Sequence, residues 1–169
     1  LGAAESPPAR SLADHVLAAT VGISATTADG AAFTGTGTVV TPTGHILTST
    51  SVVPPDAATI RVTFPDYVIR EATLVAADAS LAVSLIRVEA AGLACLPVSR
   101  EMPTLGTLAY TGSDVDRVLL TNGRASFSRG LVSGLYDVAR QGELLYAGAV
   151  IETTAAVNPG SDGGPLVDA

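Results

Sequence analysis

Short β-branched segments recur along almost the whole chain, and Gly, Pro, Asp or Asn separates most of them. Val21 to Ser24, Phe33 to Val40, His45 to Thr48, Thr59 to Phe64, Ile69 to Val75 and Leu81 to Val88 form one series; Leu105 to Tyr110, Gly130 to Tyr136 and Leu144 to Glu152 resume it. Valine, isoleucine and threonine are stiff at χ1 and fit a pleated surface, while the residues between the segments supply the backbone conformations of tight turns. Strands this short and this regularly punctuated argue for a β-barrel or sandwich over βαβ units. One helix is expected ahead of them: Ser11 is an N-cap, and Leu12, Val16 and Leu17 make a short apolar face. The expected fold class is all-β with one short N-terminal helix. No internal repeat or long linker separates independent domains, although the segment from Glu101 to Gly106 marks a seam between two halves.

A core for such a fold is within reach, since 47% of the 169 residues are apolar. Sixteen acids stand against nine arginines, with no lysine, giving a net charge of −7. No basic stripe is left to hold a phosphate backbone, so nucleic acid and anionic membrane surfaces are not expected partners. No apolar run approaches the roughly 20 residues that cross a bilayer. The start at Leu1, with a small proline-containing leader, reads as processed or trimmed. An export signal or anchor is expected upstream, and a periplasmic, envelope or extracellular location with it. Cys95 is alone in the sequence and reads as a small buried apolar residue between Ala94 and Leu96. His15 and His45 stand about 30 residues apart with no clustered acids beside them, so neither a metal nor another cofactor is expected.

The stretch Gly35-Thr-Gly-Thr-Val-Val-Thr-Pro-Thr-Gly-His-Ile-Leu-Thr-Ser-Thr-Ser-Val-Val53 resembles the first barrel of HtrA (Deg)-type trypsin-like serine proteases. In that family a Gly-x-Gly strand, a turn and an Ile-Leu-Thr strand lead to His-Val-Val. Leu81-Ala-Val-Ser-Leu-Ile86 resembles the strand after the family's triad aspartate, and Gly130-Leu-Val-Ser-Gly134 another family strand. Thr154-Ala-Ala-Val-Asn-Pro-Gly-Ser-Asp-Gly-Gly-Pro-Leu-Val167 resembles the loop that carries the nucleophilic serine. The blocks span nearly the whole chain from about Val21 onward. The resemblance implies a double β-barrel in one domain, with a first barrel over about residues 20–100 and a partial second barrel over about 104–169. It also implies that strands closing the second barrel, beyond the edge at Leu144 to Glu152, come from further residues, a separate fragment or a second chain.

The resemblance further implies that all three triad positions are changed. Ser51 stands at the histidine position, Ser80 at the aspartate position and Asp162 at the serine position. Triad catalysis needs a hydroxyl nucleophile, an imidazole to accept its proton, and a carboxylate to orient the imidazole. A serine hydroxyl at position 51 is no general base near neutrality. A carboxylate at 162 is a poor nucleophile toward an amide, and beside the amides of residues 160 and 162 it repels a developing oxyanion. Loss of such a triad costs on the order of a million-fold in rate.

Other residues offer no rescue. His45 precedes Ser51 along what reads as one strand, about 20 Å away at roughly 3.3 Å per residue. His15 reads as a solvated helix residue. Asp78 shares a strand face with Ser80 but has no imidazole to orient. Ser161 reads as a loop hydrogen-bonding residue. Asp162 is expected to accept a hydrogen bond from the Ser51 hydroxyl or from nearby amides. The vestigial loop Gly160, Ser161, Asp162 and Gly163 is expected to survive as scaffolding, because its glycines permit positive φ. The resulting expectation is a catalytically inactive HtrA-like homologue that binds a peptide segment or partner protein by strand addition. The alternative is a hydrolase with a rearranged site in which Asp162 activates water.

Overall fold

The computed structural model describes residues 11–138 and 148–168. Helix α1 (Leu12–Ala19) starts at a reciprocal cap: the Asp14 amide donates to the Ser11 hydroxyl, and the Ser11 amide donates back to the Asp14 carboxylate. The helix ends where Thr20 turns extended, and the Thr20 hydroxyl donates to Val16 O at 2.7 Å. Strand β1 (Thr20–Thr27) follows without a loop.

Six strands close a barrel in the order β1, β2 (Ala32–Val39), β3 (His45–Ser49), β6 (Val83–Val88), β5 (Ile69–Asp78), β4 (Ala57–Thr63). Every pairing round the barrel is antiparallel. Closure leaves no free edge, and register shifts at Thr26/Thr27 and Leu74/Ala76 let the strands bend round. Inward positions alternate along the strands, so Val21, Ile23, Ile46, Val62, Ile86 and Val88 meet in one buried core. Cys95 packs against that core while remaining partly exposed, a milder burial than its apolar neighbours imply.

The second half is an open four-stranded antiparallel sheet in the order β10 (Leu166–Val167), β7 (Leu108–Ser113), β8 (Ser126–Val138), β9 (Gly148–Thr153). The expected strands at Leu105 and Gly130 are present with moved boundaries: the first begins at Leu108 and the second lies inside β8. Of the expected strand from Leu144, residues 144–147 lie outside the described residues, and the remainder is β9. A second helix, α2 (Val118–Asn122), adds to the single one expected. Its stop signal was present in the sequence, as Gly123 takes the left-handed conformation that ends a helix.

The turn between β2 and β3 depends on Gly44. Its φ is +97°, and a Cβ there would stand 2.1 Å from the Val88 carbonyl oxygen. Both the backbone conformation and the space exclude a side chain. Gly44→Ala is expected to cost at least about 1–3 kcal/mol of stability, read as a lower denaturation midpoint in urea, whereas Gly30→Ala, which meets nothing within 4 Å, costs less.

Candidate functional site

The barrel and the second sheet meet through the segment from Thr154 to Pro165, which links β9 to β10 and carries the loop from Asn158 to Gly164. The loop is folded on itself by the Ser161 amide donating to Asn158 O at 2.9 Å and the Asn158 amide donating to Ser161 Oγ at 3.1 Å. Ser161 thus closes the loop, as its sequence position suggested. Gly160 and Gly163 sit at φ +95° and +83°. Gly163 is also a close-approach point, because a Cβ would lie 2.3 Å from both Thr36 O and Thr48 Oγ1.

Thr36 on β2 fastens this loop to the barrel. Its amide donates to Asp162 O at 2.8 Å, and its hydroxyl donates to Gly160 O at 2.5 Å while accepting from the Asp114 amide at 2.8 Å. Its carbonyl accepts from Thr48 Oγ1 at 2.7 Å. A fully buried residue therefore joins two barrel strands, the loop and the end of β7. Thr38 adds a bond from its hydroxyl to Gly163 O at 3.2 Å.

With the loop held, the Asp162 side chain faces Ser51. The Ser51 hydroxyl donates to Asp162 Oδ2 at 3.0 Å, and Ser49 Oγ lies 2.8 Å from Ser51 Oγ. Ser51 is not on β3, which stops at Ser49; the chain turns there, with the Val52 and Val53 amides both donating to Ser49 O. Both Ser51 and Asp162 are exposed.

Ser80 does not join this pair. Its hydroxyl and amide both donate to Asp78 Oδ1, at 2.6 and 2.8 Å, and the Leu81 amide adds a third bond at 3.2 Å. Asp78 thus organises the turn between β5 and β6. The Ser80 hydroxyl foremost, then the two amides, hold the Asp78 carboxyl below its ordinary value. Neither histidine reaches the pair. His45 opens β3 at the end away from Ser51, with Nδ1 3.0 Å from Thr41 Oγ1, and His15 is exposed on α1. Among the described residues no three His, Cys, Asp or Glu side chains are grouped to hold a metal ion.

Asp114 was not visible as a site residue from the sequence. It is 6% exposed, and its Oδ1 accepts from the Leu119 amide at 2.7 Å. Its Oδ2 lies over Gly22, where a Cβ would come within 2.0 Å of it. Burial pushes the carboxyl above its ordinary value, opposed in part by the Leu119 amide and the Arg117 charge. Its backbone lies under the candidate loop, since Thr36 Oγ1 bridges the Asp114 amide to Gly160 O.

Two outcomes follow from this frame. Thr36→Val keeps the shape but strands Gly160 O and the Asp114 amide, so a loss of roughly 2–4 kcal/mol is expected by urea denaturation. Thr36→Ser retains most of that stability. For Asp114, the fold favours the neutral carboxyl: its stabilising share is full below 3.8, the ordinary value, and is lost as pH rises through the raised folded value. Asp114→Asn, compared with the parent by thermal melts across pH, is therefore expected to gain in relative stability from acid toward neutral pH. A pH-independent difference would contradict that assignment.

This architecture is shared with known proteins. Over 94% of its length the chain superposes on the HtrA-type protease AlgW bearing a serine-to-alanine substitution, determined with a tripeptide, at 24% identity and a TM-score of 0.76. A second AlgW structure with tripeptide matches over 91% of the chain at 23% identity and a TM-score of 0.74. The chain spans about half of each, 51% and 48% respectively. At such identities the likeness speaks for the fold. No curated protein matches the chain. The trypsin-like peptidase domain family matches residues 35–169, which take in β2, the Ser51 turn and the Asp162 loop, and the chain belongs to that family.

Proposed function

We propose that this chain is a trypsin-like domain that does not hydrolyse peptide bonds and instead binds an extended peptide, or a segment of a partner protein, in the cleft between the barrel and the second sheet. In this reading Ser51, Ser80 and Asp162 occupy the positions of the triad histidine, aspartate and serine. The observation that carries it is the 3.0 Å hydrogen bond from Ser51 to Asp162. Where acyl transfer needs a hydroxyl facing an imidazole, a hydroxyl here faces a carboxylate, and neither histidine is within hydrogen-bonding reach.

The proton balance supports inertness. Ser51 already donates to Asp162, and no imidazole stands beside it to take a proton from an attacking hydroxyl as triad acyl transfer requires. The carboxylate also places negative charge where a tetrahedral oxyanion would form. What remains is a rigid loop, an apolar cleft and a sheet edge, and these are the parts that recognise an extended chain. Solved HtrA-type structures containing a tripeptide are compatible with the same use. The open edge at β9 is completed, in this reading, by further strands or a second chain.

The test is digestion of fluorescent casein and a peptide library by the full-length protein across several pH values. No cleavage above background is expected, from the parent or from Asp162→Ala. Cleavage that Asp162→Ala abolishes would establish instead a hydrolase in which the carboxylate activates water.

A further inference from the structure

Beneath the Asp162 loop, the corner between β7 and α2 carries an acid that the site chemistry does not use. Asp114 is 6% exposed, and among the described residues no ion pair reaches it. Its Oδ1 accepts from the Leu119 amide, while its Oδ2 fills the space over Gly22 where a side chain on β1 would stand. Its backbone carries the loop: the Asp114 amide donates to Thr36 Oγ1, which donates in turn to Gly160 O. Gly160 also rests on this corner directly, because a Cβ there would come within 3.0 Å of Asp114 O and 3.4 Å of Val115 Cα.

The elements round Asp114 bring no countercharge into contact with it. Strand β1 presents Gly22, β2 Thr36, the loop Gly160 and α2 Leu119, none of them ionisable. On its own segment lie Asp116 and Arg117, both exposed, and the Arg117 charge favours the ionised form. Burial outweighs that help and the Leu119 bond together. A carboxylate formed in this seat lacks the donors that water would give it, so relief requires movement. Strands β1 and β2 are neighbours in a closed barrel and hold their places. The corner is softer: Asp116 and Arg117 keep left-handed backbone at φ +50° and +59°, a strained conformation for residues other than glycine. Helix α2 has five residues and no side-chain cap at Arg117, so the bond from Leu119 to Asp114 supports it from outside.

We propose that Asp114 is a pH-sensitive strut: when its carboxyl gains charge, the corner between β7 and α2 leaves its seat and the loop from Asn158 to Gly164 loosens from the barrel. The structure shows the seated arrangement, with the Asp114 amide propping Thr36 Oγ1 against Gly160 O. Burial sets the sign. A seat that favours the neutral carboxyl keeps the loop ordered in acid, and that order fades as pH rises through the folded value. The bond from Ser51 to Asp162 depends on the placing of this loop and loosens with it. The strut acts on the loop itself, whether or not the cleft takes a peptide.

Amide hydrogen exchange in the full-length protein, followed by NMR between pH 3.8 and neutrality, tests the strut once each rate is divided by its intrinsic rate at the same pH. The Thr36 amide donates to Asp162 O across the pin, the Gly164 amide donates to Ser161 O within the loop, and the Leu96 amide donates to Val39 O in the barrel. Protection at Thr36 and Gly164 is expected to fall at least about fivefold as pH rises, and that at Leu96 to change about twofold or less. Asp114→Asn, which cannot ionise, is expected to hold all three constant. Arg117→Asn removes the favourable charge and keeps a residue that tolerates left-handed backbone. It is expected to move the fall to higher pH, and it carries the test if Asp114→Asn does not fold. Unchanged loop protection in the parent would overturn the strut, as would an equal fall in Asp114→Asn or a fall at the parent's pH in Arg117→Asn. An equal fall at Leu96 would overturn it too, by placing the effect on the whole fold.

Discussion

Thr36 is the residue on which the arrangement turns. It sits in the middle of β2 with no exposure to water, and all three of its polar groups are used across element boundaries. The amide and hydroxyl hold the carbonyls of Asp162 and Gly160, so two points of one loop are pinned to one barrel strand. A loop fixed at two backbone points has little freedom left, and its side chains inherit that order. The same hydroxyl receives the Asp114 amide, so the end of β7 is locked to the barrel by the bond that locks the loop. The hydroxyl both donates and accepts, and no apolar side chain of the same shape replaces that.

From that anchor the cleft acquires two different surfaces. One is polar: Ser49, Ser51 and Asp162 form a short chain of hydrogen bonds open to water. The other is apolar, lined by Leu47, Val83, Leu96 and Leu166 among others. The two are contiguous because Gly163 presses against Thr36 and Thr48 with no side chain of its own, which brings the loop directly onto the barrel. In the function proposed above, the polar surface does not perform proton transfer and the apolar surface carries recognition, a division the fold permits because scaffold and chemistry reside in different residues.

Asp114 shows how the anchor is tuned from behind. A carboxyl placed over Gly22 and under the loop is desolvated, and a single amide bond to Leu119 does not fully offset the cost of its charge. Asp78 is the opposite case. It stands in solvent with three donors on one oxygen, and its ionised form is the favoured one. Two acids with the same intrinsic chemistry are driven apart by the number of donors each meets and the water each keeps.

The local pattern of the chain determined a good deal. Alternating β-branched residues and their Gly and Pro breaks specify short strands because side-chain periodicity and turn conformations are properties of neighbouring residues. Ser11 as an N-cap marked the helix start for the same reason. The block from Asn158 to Pro165 gave the loop, its closing serine and the left-handed glycines. Contacts between residues far apart in the chain were not written in any local window. Ser80 meeting Asp78 is a contact two residues apart, but that Ser51 faces Asp162 and that Asp114 is buried beneath Gly160 depend on which strands pair and how the two halves dock. Burial and distance are set by the meeting of distant segments, so only the tertiary structure decided which polar groups of this cleft face one another.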